Sequence, residues 1–275
     1  MGKDARNLYF DLLKRTLSFM LWDGPGMPIE MSASRKHWIY RKAILMFAKL
    51  LRLAGYQVVK LPTGNSSDKE EGKVWPRYAE SMIGLKRLDN IQHCVETAIK
   101  NNVKGDFIEA GVWRGGAVIF MKAILKAYGA KDRRVFVADS FEGLPKPDEE
   151  KYPLDKGDIH HTVNFLAVSE ESVKENFKKY GLLDDNVVFL KGWFKDTLPD
   201  APIEKLAVLR IDGDMYESTL DAISSLYPKL SEGGFCIIDD YVHFPCKDAV
   251  DRYRKQHHIT SPIKNIDWTG VYWQK

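Results

Sequence analysis

Phe107-Ile108-Glu109-Ala110-Gly111-Val112-Trp113-Arg114-Gly115-Gly116 is a short apolar run that ends in a glycine-rich turn and opens directly onto an amphipathic stretch from Ala117 to Tyr128. A run of this kind, bounded by glycine and followed by helical spacing, reads as a buried parallel strand feeding its crossover helix. The pattern recurs downstream. Apolar runs at Val135 to Ala138, Val187 to Leu190, Leu206 to Ile211 and Phe235 to Ile238 alternate with helical patterns at Glu170 to Tyr180, Ser218 to Tyr227 and Lys247 to His257. This alternation predicts an α/β domain with a mostly parallel sheet. Ile263 to Ile266 and Val271 to Trp273, separated by Asp267-Trp268-Thr269-Gly270, add a C-terminal antiparallel hairpin.

Upstream of the quoted run, Lys86 to Asn101 reads as a helix, and the N-terminus differs in kind. Leu8, Leu12, Leu13, Leu17, Met20 and Leu21 have helical spacing, and Gly24, Pro25, Gly26 and Pro28 break it. Arg35 to Leu53 predicts a second helix, within a stretch from Met31 to Ser67 that holds seven Lys or Arg and no acidic residue. A basic helix bearing Trp38, Ile39, Leu45, Phe47 and Leu50 suits peripheral contact with an anionic membrane surface, or burial as a lid or an oligomer contact. Thr63 to Lys73 has linker composition. The expected organisation is therefore a helical segment over residues 1–75, serving as lid or oligomer contact, and a catalytic domain over residues 76–275.

Composition narrows the class. Apolar residues make up 44% and charged residues 29% of 275, which is globular. With 41 basic and 38 acidic side chains the net charge is only +3, so no nucleic-acid partner is expected. Cys94, Cys236 and Cys246 have neither disulfide nor zinc spacing, and the N-terminus shows no signal core. A cytoplasmic enzyme is the expectation.

Ligands of open α/β sheets collect at the carboxyl ends of the strands. At the first end, Gly111, Gly115 and Gly116 let a ligand approach the backbone, and Glu109 suits the cationic amino group of a methionine moiety better than a pyrophosphate. A tight corner without ligand is the plainer alternative. At the second end, Asp139 can accept the hydroxyls of an adenosine ribose, or it can cap its own turn through Ser140 and Gly143. At the third, Gly192-Trp193-Phe194 offers aromatics for adenine stacking, or for the core.

The fourth and fifth ends, Asp212-Gly213-Asp214 and Asp239-Asp240, carry the most specific signal. Four carboxylates converging on one point repel unless a hard cation such as Mg²⁺ joins them. The alternative has each Asp capping its following helix. With a metal polarising an acceptor hydroxyl, a carboxylate not committed to it takes the proton, and Asp214 is the candidate general base.

At these residues the chain resembles the macrocin O-methyltransferase family, sugar O-methyltransferases of macrolide and aminocoumarin pathways. The resemblance runs from Met82-Ile83-Gly84-Leu85-Lys86-Arg87-Leu88 to the C-terminus. It takes in Glu109 to Gly116, Ala138-Asp139-Ser140-Phe141, Tyr180 to Asp185, Gly192 to Thr197, Asp212-Gly213-Asp214 and Ile238-Asp239-Asp240-Tyr241. It implies a Rossmann-like class I methyltransferase sheet and S-adenosylmethionine as donor. It also implies Mg²⁺ held by Asp212, Asp239 and Asp240, with Asp214 as base. Cofactor contacts are implied at Met82, Glu109, Gly111, Trp113, Gly115, Gly116, Asp139, Ser140, Gly192 and Trp193. A sugar acceptor on a glycosylated small molecule or glycan, and a homo-oligomer, follow from the same resemblance. The basic helix departs from the family pattern and leaves the acceptor open. Pro145 to Leu166, holding His160 and His161, reads as a lid in which either histidine could meet a sugar hydroxyl.

Three other functions share parts of this pattern. A nicotinamide oxidoreductase would carry G-x-G-x-x-G, which this turn lacks. A glycosyltransferase could use Asp212-Gly213-Asp214 for a metal and sugar nucleotide, but has no need of Asp239-Asp240. A non-catalytic cofactor-binding scaffold would not require four carboxylates.

Overall fold

The computed structural model describes residues 2–22, 27–29, 38–60, 66–74 and 76–275. Helix α1 (Lys3–Leu17) opens the chain, and strands β1 (Met27–Pro28) and β2 (Val59–Lys60) pair antiparallel, Met27 opposite Lys60. Between these two strands in the chain lies α2 (Trp38–Leu53), the described part of the predicted basic helix. Arg35 to His37, and the predicted break at Gly24 to Gly26, lie outside the described residues. The predicted linker is helical in part, because Ser66–Glu70 forms the short helix α3. It is packed rather than free: a Cβ on Gly84 would lie 2.3 Å from the Gly72 nitrogen.

From residue 84 onward the elements follow the predicted alternation. They are α4 (Gly84–Lys100), β3 (Asp106–Ala110), α5 (Gly116–Tyr128), β4 (Val135–Asp139), α6 (Glu170–Lys179), β5 (Val187–Lys191), α7 (Phe194–Thr197), β6 (Leu206–Ile211), α8 (Tyr216–Leu226), β7 (Leu230–Ile238), α9 (Phe244–Gln256), β8 (Lys264–Asn265) and β9 (Val271–Gln274). Seven strands form one sheet in the order β5-β4-β3-β6-β7-β9-β8. Pairs within β3 to β7 are parallel, whereas β9 runs antiparallel to β7 and β8 antiparallel to β9. The mostly parallel sheet with its terminal hairpin is as expected.

Both faces of the sheet are covered, which is why the strands read as nearly continuous apolar runs. On one face Phe107, Val135 and Val137 pack with α4 and α5 through Leu88, Ile91, Ile119 and Phe120. On the other, Ile108, Phe136 and Leu209 pack with Ile223, Leu226 and Val250 of α8 and α9. Helix α1 belongs to the first core: Phe10, Leu13 and Leu17 are buried in it, and Lys14 is paired with Asp89 of α4. Helix α2 is different, with Ile44, Met46, Phe47, Leu50 and Leu53 exposed and Ala48 buried. No described helix is long and apolar enough to cross a membrane.

Candidate active site

The strand order reverses between β3 and β6, and there the residues after the two strands touch. A Cβ on Gly111 would lie 1.8 Å from the Asp212 carbonyl oxygen, so only glycine lets the two strand ends meet. Gly116 is constrained in the same way, its Cβ position lying 2.5 Å from the Glu80 carbonyl oxygen that its N–H binds. A cleft of about 480 Å³ opens along these ends. Met82, Glu109, Gly111, Trp113, Gly116, Asp139, Ser140, Gly192 and Trp193 line it, together with Asp212, Asp214, Asp239 and Asp240. Gly115 does not. It turns the chain into α5 at φ +86°, and its Cβ position faces Val173 rather than the cleft.

At the glycine turn, Glu109 is buried, with one oxygen paired to Arg210 and Oε2 left without a hydrogen-bond partner. Burial pushes this carboxyl up to about 8 against the pull of Arg210. Asp139 accepts from the backbone N–H of Val112 at 2.8 Å, Trp113 at 3.3 Å and Phe141 at 2.8 Å. Its carboxylate thus ties the first two turns together, while Ser140 Oγ donates to Gly143 at 2.6 Å. Trp113, Phe141 and Asp214 hold positive φ of 48°, 58° and 56°. Non-glycine residues held in this region mark backbone over-determined by its surroundings, as is common where ligands bind.

At the ends of β6 and β7, Asp212, Asp214 and Asp240 each place an oxygen within 4.8 Å of the others. Burial pushes Asp212 and Asp240 well above the usual carboxylate range, helped by the charges of Asp239 and Asp240 at Asp212 and of Asp214 and Asp239 at Asp240. Burial and the charges of Asp212 and Asp239 push Asp214 up to about 8. Asp240 Oδ2 is buried without a partner. Asp239, expected as a third ligand, is not in this grouping but lines the same cleft, with Arg210 and Arg87 each taking one of its oxygens. Arg210 also donates to Asp212 at 3.0 Å, and Arg87 to Asp267 at 2.8 Å. Neither arginine was assigned a role from sequence. A charged residue inside the buried run Leu206 to Ile211 is the signal for Arg210; Arg87 offers none, being 152 residues from Asp239.

A family model for the macrocin-O-methyltransferases (TylF) matches residues 6–275. The chain belongs to the macrocin-O-methyltransferase family. Membership makes it an O-methyltransferase and implies S-adenosylmethionine as methyl donor. It is 46% identical over its full length to a tetracenomycin-C rhamnosyl 4'-O-methyltransferase of Streptomyces olivaceus, covering 95% of that protein. It is 47% identical to the demethyldecarbamoylnovobiocin O-methyltransferase of Streptomyces niveus, over 98% of this chain and 94% of the relative. The solved structure of the O-methyltransferase NovP superposes with a TM-score of 0.83 at 46% identity, covering 98% of each chain. A calicheamicin methyltransferase, CalS11, shares the fold at TM-score 0.56 and 16% identity over 91% of this chain and 98% of its own. These relatives are methyltransferases, and they give the glycosyltransferase reading no support.

The segment expected as a lid in this O-methyltransferase borders the cleft and is pinned at its middle and near its C-terminal end. Asp155, buried, accepts from the N–H of Tyr216 at 2.7 Å and Glu217 at 3.0 Å at the start of α8. The Trp113 indole donates to the Phe165 carbonyl at 2.9 Å. Between them, His160 Nδ1 sits 2.8 Å from Asp158 Oδ2, and both side chains line the cleft. His161 does not line it.

Proposed function

We propose that the chain transfers a methyl group from S-adenosylmethionine to a hydroxyl of a sugar on a glycosylated small molecule, with a divalent metal such as Mg²⁺ at the acceptor end. The observation that carries this is the convergence of Asp212, Asp214 and Asp240 within 4.8 Å in the cleft that Glu109 and Asp139 border. The donor set fits a hard cation: it is all oxygen and half-buried, and Asp240 Oδ2 is left unpartnered. The relatives named for tetracenomycin and novobiocin substrates favour a sugar-bearing acceptor.

Asp212 and Asp240 would hold the ion, with Asp239 contributing a lone pair that its two arginines leave free. The metal supplies Lewis acidity that lowers the acceptor hydroxyl's proton affinity. Asp214 takes the hydroxyl proton as the oxygen attacks the methyl carbon and the carbon–sulfur bond breaks, so no covalent enzyme intermediate forms. Burial and the charges of Asp212 and Asp239 raise the proton affinity of the Asp214 carboxylate above that of an ordinary aspartate, which strengthens it as a base once a cation offsets those charges. Glu109 Oε2 would receive the donor's ammonium, Asp139 its ribose hydroxyls and Trp193 its adenine. Met82, Gly111, Trp113, Gly116, Ser140 and Gly192 complete that wall. Residues 27–60, around α2, would serve as lid or oligomer contact, in a homo-oligomer.

The test is transfer of labelled methyl from S-adenosylmethionine to rhamnosyl and amino-sugar conjugates, with Mg²⁺ or excess chelator. Product should form on a sugar hydroxyl with Mg²⁺ and vanish with chelator while cofactor affinity is kept. Full activity in chelator removes the metal from the mechanism, and transfer to no sugar in the panel overturns the acceptor class.

A further inference from the structure

The loop between β8 and β9 is mounted with more care than a hairpin turn requires. The Asp267 carboxylate, fully buried, accepts from Arg87 Nε at 2.8 Å and from the N–H of Thr269 at 3.0 Å and Gly270 at 2.8 Å. Arg87 carries that anchor through to Asp239 beneath the carboxylate cluster. Next to it the Trp268 indole N–H donates to the Glu71 carbonyl at 2.7 Å, yet the ring remains 43% exposed. A large aromatic held rigid and left in water has already lost the freedom that binding would otherwise cost. Val242, 59% exposed, stands on the facing loop after β7. Trp268, Val242, Tyr241 and Thr269 line a second cavity of about 440 Å³. Trp268 and Thr269 also line the catalytic cleft, so the two spaces adjoin at these residues. At the junction Thr269 is 1% exposed, and its hydroxyl has no hydrogen-bond partner. A buried hydroxyl of this kind awaits a polar atom from a ligand.

We infer that this shelf binds the apolar, aromatic part of the acceptor, the aglycone, while the sugar it carries reaches Asp214 in the cleft. The inference rests on the sugar-acceptor reading and narrows it. A sugar ring can lay its one C–H face on the indole but keeps its hydroxyls in water, whereas a flat apolar group covers both the indole and the valine and gains in proportion to the larger apolar area it removes from water. Thr269 Oγ1, at the junction of the two spaces, would meet the polar atoms linking the two parts of the acceptor.

The experiment compares 2-naphthyl α-L-rhamnoside with methyl α-L-rhamnoside by the ratio of their kcat/KM values. The wild-type ratio should be about tenfold or more in favour of the naphthyl glycoside, the scale of one aromatic contact with its buried area. Trp268→Ala and Val242→Asp should each bring the ratio towards one, with affinity for S-adenosylhomocysteine unchanged, and Trp268→Phe should keep most of it. A wild-type ratio near one, or an unchanged ratio in Trp268→Ala, overturns the shelf. So does a loss of ratio accompanied by dissociation in light scattering, which would assign the surface to a second copy of the chain. If the wild type methylates neither glycoside, the sugar reading fails on its own. Calorimetric binding of the two compounds to the protein loaded with S-adenosylhomocysteine and Mg²⁺ then decides the shelf: a naphthyl preference that Trp268→Ala removes upholds it, and equal binding overturns it.

Discussion

Arg210 stands in a strand whose neighbours are apolar and buried, and one guanidinium there reaches Glu109, Asp212 and Asp239. Isolated in that position it would cost several kcal/mol to desolvate; paired with three carboxylates it offsets their mutual repulsion. Asp239 and Glu109 in turn hold the arginine charged against its burial. Arg210→Met should therefore destabilise the fold by roughly 3–5 kcal/mol in denaturant melts, the scale for breaking a buried ion pair. Arg210→Lys keeps the charge but not the planar fork, so it should fold and bind metal more weakly in a Mn²⁺ titration. Equal Mn²⁺ affinity in wild type and Arg210→Lys would leave the guanidinium with no part in shaping the cluster. Asp214 is the contrasting case, a residue asked for chemistry rather than charge balance. Asp214→Asn should retain S-adenosylhomocysteine binding and most metal affinity while methyl transfer slows by roughly 10² or more. If metal is lost as completely as in Asp212→Ala, Asp214 is a ligand and the base lies elsewhere.

Among the elements, the loop 145–166 shows how one side chain fixes the position of many others. Asp155 gives α8 the N-terminal cap that its own flanking residue, Met215, does not supply, and so anchors the loop beside Asp214. Asp155→Ala should raise hydrogen exchange at least tenfold in the loop and in the first turn of α8, the consequence of losing about 1–2 kcal/mol of capping. Unchanged exchange would mean that the Trp113–Phe165 contact holds the loop alone. The strands and their turns were legible in sequence because each pairs an apolar run with glycine or acid at its end, a signal contained in about ten residues. Strand β7 was read only from Phe235, since Ser231, Glu232, Gly233 and Gly234 interrupt the apolar pattern, whereas the strand starts at Leu230. Helix α3 was hidden by linker composition. Of the site, the residues at strand ends could be named, since topology alone brings them together. Arg87, Asp155 and Trp268 could not, because their partners Asp239, Tyr216 and Glu71 are remote in the chain and come from packing.

At the scale of the whole molecule, the N-terminal 75 residues divide by what they bury. In α1, Phe10 meets Phe120 edge-on and stacks on Tyr128, inside the core shared with the sheet. Phe10→Ala should cost about 3–5 kcal/mol, as for any large aromatic removed from a packed interior. The described side chains of α2 leave much apolar surface uncovered, with Met46, Phe47, Leu50 and Leu53 exposed. Its two ends meet where Met27 pairs with Lys60, Pro28 with Val59, and the Ile29 N–H reaches the Val58 carbonyl at 3.1 Å. Replacing Glu30 to Gln57 by Asn-Gly closes those strands with a two-residue hairpin turn and leaves α1 and the sheet in place. The shortened chain should bind S-adenosylhomocysteine within about twofold of the full chain and melt within a few degrees of it, because the described side chains from Lys42 to Gln57 hold little buried surface. What should change is either the molecular mass in light scattering, if α2 covers a second copy, or the KM for the acceptor, if it covers the cleft. A chain that fails to fold after this excision would place α2 in the core, and Ala48, the one buried side chain among those described in α2, is where that contact would be found.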